Sequence, residues 1–303
     1  MKKLTALILL ISLLVPSALA GSVRPQGSAA YLTDVNLLVC VYLETKEPWD
    51  QDARAYTAYA LNTAADYIQS AGEALGKPIR LITGADHDDL CYTFRYAQAQ
   101  RHDAQDGERF DEELLNFIHD RIPSQALMDR YGAEGIAYLF FAPFPGGSYA
   151  MVYYEEDDPF YYPEYCVLYA FDGSSPTEYE SVAVYAHEIL HLFGAVDLYQ
   201  TNPDDGVTHQ VVEYIVDACP DELMYYTYED DDTTNTETIT RTLSPITLYM
   251  LGLTDGDGLI ARFPTLRRTD MCAFHYSDLD DLSDYYCLKR DCPYCGGWPS
   301  DDY

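Results

Sequence analysis

Two kinds of apolar pattern alternate along the chain. Val35 to Tyr42 reads VNLLVCVY, an apolar run rich in β-branched residues and bounded by Asp34 and the Pro48 region, which predicts a buried strand. From Ala53 to Leu75 the apolar residues recur at helical spacing and stop at Gly76-Lys77-Pro78. IRLIT (79–83) predicts a second strand, and a helical stretch from about Phe110 to Ile118 is broken at Pro123, with a second piece reaching Tyr131. GIAYLFFAP (135–143), SYAMVYY (148–154) and YCVLYAF (165–171) predict three more strands, with FPGG between the first two reading as a hairpin turn. The next segment, EYESVAVYAHEILHLF (178–193), carries Val182, Tyr185, Ile189 and Leu192 on one stripe and predicts a helix with an acidic first turn. The sum is a mixed sheet packed by helices.

Charge and cysteine content narrow the function classes. The first 20 residues, MKKLTALILLISLLVPSALA, have the basic start, short apolar core and small-x-small end of a secretory signal, and the run is short for a bilayer span. Its removal takes the formal charge from −32 to −34, because Lys2 and Lys3 are lost. A surface this acidic repels phosphate backbones and anionic lipid, so neither nucleic acid nor a membrane is expected as a partner. The acidic runs at 155–158, 229–232 and 278–284 lack EF-hand spacing and read as solvated loops. Eight cysteines in a chain expected outside the cell predict disulfides, up to four; a structural zinc site at Cys292 and Cys295 is the alternative.

The chemistry concentrates in AHEILHLFGAVDLY (186–199). Residues four apart lie on one helix face, so His187 and His191 can aim at one point, and Glu188 can reach a water held there without being a ligand. This is the arrangement in which two imidazoles hold Zn2+ and a carboxylate acts as general base. A third protein ligand requires the chain to turn after His191; Gly194 accepts positive φ and would bring Asp197 back to the metal. Glu213 is the rival third ligand, and His209 a weaker one. The remaining histidines lack metal-like spacing.

Residues His187, Glu188, His191, Gly194, Asp197, Leu198 and Tyr199 write H-E-x-x-H-x-x-G-x-x-D-L-Y, which resembles the zinc signature of metzincin-type metalloproteases, in particular the secreted bacterial immune-inhibitor-A-like and snapalysin-like groups. DELMYYTY (221–228) is similar to that clan's methionine turn, with Met224 its methionine, and LSPITLYMLGL (243–253) is similar to the helix that closes the lower subdomain. The resemblance implies an α+β fold: a mostly parallel five-stranded sheet with backing helices and an active-site helix, then a smaller lower subdomain. Its implied boundaries are a signal at 1–20, a catalytic domain at 21–270 (upper part about 31–195, lower about 196–270) and a cysteine-rich tail at 271–303.

It also implies a secreted zinc endopeptidase acting on protein or peptide substrates. His187, His191 and Asp197 would be the metal ligands, and Glu188 the base that activates a zinc-bound water. Tyr226, two residues past Met224, would assist at the oxyanion, and the YCVLYAF strand would be the sheet edge that pairs with substrate. The competing class is an inactive extracellular module that binds proteins or glycans through its doubled tyrosines. A zinc hydrolase of another bond is a third reading.

Overall fold

The computed structural model describes residues 27–266, apart from 30–31, 33–34, 46–48, 97–103, 153–162, 176, 203–204, 230–232 and 257. The expected signal at 1–20 and the cysteine-rich tail at 271–303 lie outside the described residues. The chain builds a mixed, mostly parallel sheet of six strands: β1 (Val35–Glu44), β2 (Arg80–Thr83), β3 (Cys91–Arg95), β4 (Gly135–Pro145), β5 (Tyr149–Met151) and β6 (Tyr165–Phe171). Their order is β2-β1-β4-β6-β5, with β3 following β2 along the same side of β1. Among these described strands only the β5–β6 pairing is antiparallel.

The long apolar runs of β1 and β4 follow from burial on both faces. Leu38, Cys40, Tyr42, Leu139 and Phe141 point into one cluster, and Leu37, Val39, Val41, Tyr138 and Phe140 into the other. The first cluster is shared with α1 (Gln51–Ala74) and α4 (Val182–Leu192); the second is shared with α2 (Ala104–Arg121) and α3 (Ser124–Tyr131). Helices α5 (His209–Ala218) and α6 (Pro245–Met250) extend the first cluster beyond α4, through Val211, Ile215, Ile246 and Met250. A short α7 (Leu259–Arg262) follows.

Four expectations need correction. Among the described residues the sheet has six strands, not five: β3, half-exposed and only five residues long, carries too little apolar alternation to stand out. FPGG does not close a hairpin, because β6 lies between β4 and β5 and pairs with both. Among the described strands the edge is therefore β5, and YCVLYAF is interior. Finally, α4 begins at Val182 with no acid in its first turn; Glu178 and Glu180 precede the Ser181 cap.

The four cysteines within the described residues, Cys40, Cys91, Cys166 and Cys219, are free thiols. Cys40 and Cys166 are fully buried core residues on β1 and β6, and burial above all pushes both thiols well above their ordinary range. The expected disulfides are thus absent from this half of the cysteine set, while Cys272, Cys287, Cys292 and Cys295 lie outside the described residues. No helix among the described residues is long and apolar enough to cross a membrane.

Candidate metal centre

Helix α4 is fixed at both ends before it presents any chemistry. At its start, the Ser181 hydroxyl accepts from the Ala183 N–H (3.2 Å) and donates to the Asn235 carbonyl (3.1 Å), which also accepts from the Val182 N–H. At its end, Gly194 takes φ 109°. The Gly194 N–H donates to the His191 carbonyl (3.0 Å) and the Ala195 N–H to the Leu190 carbonyl (3.1 Å), the paired bonds of a Schellman cap. The turn expected at Gly194 is therefore present, and it reverses the chain toward the helix face that carries the histidines.

There the side chains of His187, His191 and Asp197 converge. The two Nε2 atoms are 3.1 Å apart, and Asp197 Oδ1 lies 3.2 Å from each. A tetrahedral zinc with bonds of about 2.0–2.1 Å sets its ligand atoms about 3.3 Å apart, so the triangle matches the footprint of that ion. Each Nδ1 faces a backbone carbonyl: His187 faces Leu223 O (3.2 Å) and His191 faces Ala195 O (2.9 Å). A carbonyl only accepts, so Nδ1 carries the proton and each Nε2 turns a lone pair inward. Asp197 Oδ1 is buried and, despite its 3.2 Å contacts, makes no hydrogen bond. Three converging lone pairs with an orphaned carboxylate oxygen are the donor set that a divalent cation satisfies.

Without a cation, the nearest substitute is a proton. Burial opposes charge on His191, but the Asp197 carboxylate and the nearby Glu188 charge outweigh it and raise the imidazole to about 9. For Asp197, burial raises the carboxyl, yet the two imidazoles 3.2 Å away and their charge hold it far below the usual carboxylate range. The Tyr199 hydroxyl donates to Asp197 Oδ2 (3.0 Å); burial first, then that carboxylate, pushes the phenol up to about 12.

Glu188, buried at 7% exposure, lines the same cavity as His187, His191 and Asp197. This cavity, of about 290 Å³, is walled by Ser148, Tyr149 and Ala150 of the β5 edge and by Val196, Tyr199 and Asp205 of the loop after α4. Met224 is fully buried in the turn behind His187, and its carbonyl accepts from the Leu198 N–H (2.9 Å).

The rival ligands lie elsewhere: His209 and Glu213 are exposed on α5 and face each other at 3.2 Å. Tyr226 is not among the described residues that line the cavity. Its ring lies 5.7 Å from Tyr228, with the Arg241 guanidinium 5.4 Å from its centroid. The two carbonyl acceptors, Leu223 and Ala195, carry no signal in sequence, because any residue supplies a carbonyl. Tyr199 was visible as the last letter of the motif, but its hydroxyl contact with Asp197 was not.

No family model matches the chain, and no curated protein matches it. Among solved structures, the crystal structure of metalloproteinase-II from Bacteroides fragilis is similar at 13% identity and a TM-score of 0.35, over 75% of this chain and 56% of that one. The chain thus spans little more than half the length of that protein. A likeness of this degree carries no argument, and the functional reading rests on the converging ligand atoms and the cavity in front of them.

Proposed function

We propose that the protein is an exported zinc-dependent endopeptidase. The observation that carries this reading is the triangle of His187 Nε2, His191 Nε2 and Asp197 Oδ1 at 3.1–3.2 Å, open to a cavity that Glu188 also lines. When bound by these three residues, zinc supplies Lewis acidity toward a scissile carbonyl and its oxyanion and makes water acidic enough to attack near neutral pH.

The protein's own residues do the rest. Glu188 takes the proton from the attacking water and passes it to the departing amine, a role open to a carboxylate beside the ligands but not among them. Ala195 O and Leu223 O keep both imidazoles in the tautomer that leaves Nε2 available. Tyr199 holds the second oxygen of Asp197, which leaves Oδ1 for the ion. The β5 edge at the cavity wall offers backbone groups to an extended peptide, which would add as a further strand and lay a scissile bond across the site. Tyr226 is not among the described residues that line the cavity and is assigned no chemical step.

The test is hydrolysis of a mixed peptide library by the zinc-loaded chain from Gly21, read by mass spectrometry, with Glu188→Ala as control. Cleavage that falls by about 10²–10⁴-fold in a variant that retains zinc is the expected result. Zinc binding without cleavage in the parent would leave a metal-binding extracellular module, or a hydrolase of another bond; absence of zinc binding would remove the metal reading altogether.

A further inference from the structure

Glu222 is a fully buried carboxylate outside the cavity. Its Oε1 accepts from the Met224 N–H (3.0 Å) and the Thr247 hydroxyl (2.9 Å), and its Oε2 accepts from the Ser244 N–H at the start of α6. Burial raises this carboxyl above its ordinary value, against the opposing pull of those donors. A neutral amide could accept from the Met224 and Thr247 donors through its single oxygen, but it would turn an NH2 donor toward the Ser244 N–H, so a site in which both oxygens accept calls for a carboxylate.

The position of the charge suggests more. The Met224 N–H and the Leu223 C=O belong to one peptide group. Its N–H end donates to Glu222, and its C=O end accepts from His187 Nδ1 at 3.2 Å. Carboxylate, peptide and imidazole therefore form an unbroken series ending at His187 Nε2. Hydrogen bonds in series polarise one another, so charge at the Glu222 end makes the Leu223 oxygen a stronger acceptor and the imidazole a better donor to a cation. The next peptide of the same turn holds the other side of the site, since Met224 O accepts from Leu198 N, one residue past Asp197.

We propose that Glu222 is a positioning residue that tunes His187 through the single Leu223–Met224 peptide group, a carboxylate–histidine couple with one peptide inserted. The inference rests on the reading of His187 as a metal ligand. It concerns the strength of the centre, and no proton leaves Glu222 in it.

The test is zinc affinity of the full chain by competition with a chromophoric chelator, together with the visible spectrum of the cobalt(II)-loaded protein. Glu222→Gln keeps the shape and the Met224 bond, removes the charge and gives up the Ser244 N–H bond; Thr247→Val removes one donor to Oε1 and keeps the charge. The expected result is zinc affinity about tenfold weaker and shifted cobalt bands for Glu222→Gln, with Thr247→Val within about twofold of the parent. Equal losses in both variants would reduce Glu222 to a clamp and overturn the proposal, as would parental affinity in Glu222→Gln. A parent that binds no zinc removes the metal reading itself, a distinguishable failure. Should Glu222→Gln not fold, judged by circular dichroism, the Met224 amide proton is followed by NMR in the parent as zinc is added. The series requires that resonance to move, and an unmoved resonance overturns it.

Discussion

At the scale of single residues, His191 decides how the centre answers to pH. In the metal-free chain its imidazole titrates at about 9, so near neutrality a cation must displace a proton from it. Zinc affinity is therefore expected to rise with pH and to level off above about 9, with close to one proton released from His191 per zinc near pH 7, measurable by calorimetry in buffers of different ionisation heat. For stability of the metal-free chain the sign is opposite. A histidine raised in the folded state contributes fully below its unfolded value near 6.5, and that contribution is lost as pH climbs through 9. Asp197→Ala removes the orphaned oxygen from the triangle and is expected to weaken zinc binding by about a hundredfold or more, while circular dichroism stays parental. A zinc affinity unchanged by that substitution would show that the ion is held elsewhere.

At the scale of elements, α4 is a short helix whose two ends are stretched between other parts of the chain. Its C-terminal cap depends on Gly194 at φ 109°, a region where a side chain is strained. Gly194→Ala is expected to lower unfolding free energy by about 1–3 kcal/mol and to weaken zinc binding, because the Ala195 carbonyl that holds His191 belongs to the same cap. At the other end sits Glu180, buried at 4% exposure, with its carboxylate accepting from the Ser181 N–H. Burial first, then the Asp172 and Glu188 charges, raise it to about 7 against that hydrogen bond. A carboxyl raised in the folded state contributes stability below about 4.5 that is lost as pH rises through 7. Glu180→Gln should therefore unfold near the parent's midpoint at pH 4.5 and stand above it at pH 8 by at most about 3 kcal/mol; a parent with a flat profile between these values would contradict the assignment.

Much of this element was legible beforehand. The 187/191 spacing, the glycine turn and the return of Asp197 are local consequences of helix geometry and of glycine's conformational range. The partners that fix α4 were not, because Asn235 and the Leu223 carbonyl arrive from 36 or more residues away and act through backbone atoms that no side-chain pattern encodes. The strands were placed correctly wherever both faces are buried. Pairing order is set by tertiary packing and not by the run itself, so FPGG has the composition of a hairpin turn although β6 lies between β4 and β5, and the half-exposed β3 leaves too weak a pattern to mark a strand.

At the scale of the molecule, charge is unevenly distributed along the chain. Between Arg130 and Arg241 the chain has 22 aspartates and glutamates and no lysine or arginine, and every described cavity residue comes from that stretch. Peptides with lysine or arginine near the scissile bond are expected to associate faster than neutral ones, an advantage that shrinks several-fold as salt rises from about 50 to 500 mM. Measuring kcat/KM for a matched basic and neutral pair across that range tests it, and parallel salt curves for the two would sink the idea. The sheet's outer margins carry a different consequence. On one side β1 is flanked in turn by β2 along Val35–Leu38 and by β3 along Cys40–Glu44, two staggered pieces with the exposed Arg95–Glu44 ion pair at the end. On the other side β5 is only three residues long. Among the described residues neither margin offers a second copy of the chain a long, flat ladder on which to stack, so concentrated protein is expected to show no rise in thioflavin fluorescence, and such a rise would contradict the reading. Among the described residues the sheet is thus a poor template for its own copies, while the short β5 at the cavity wall would leave room, under the proposed function, for a single guest strand.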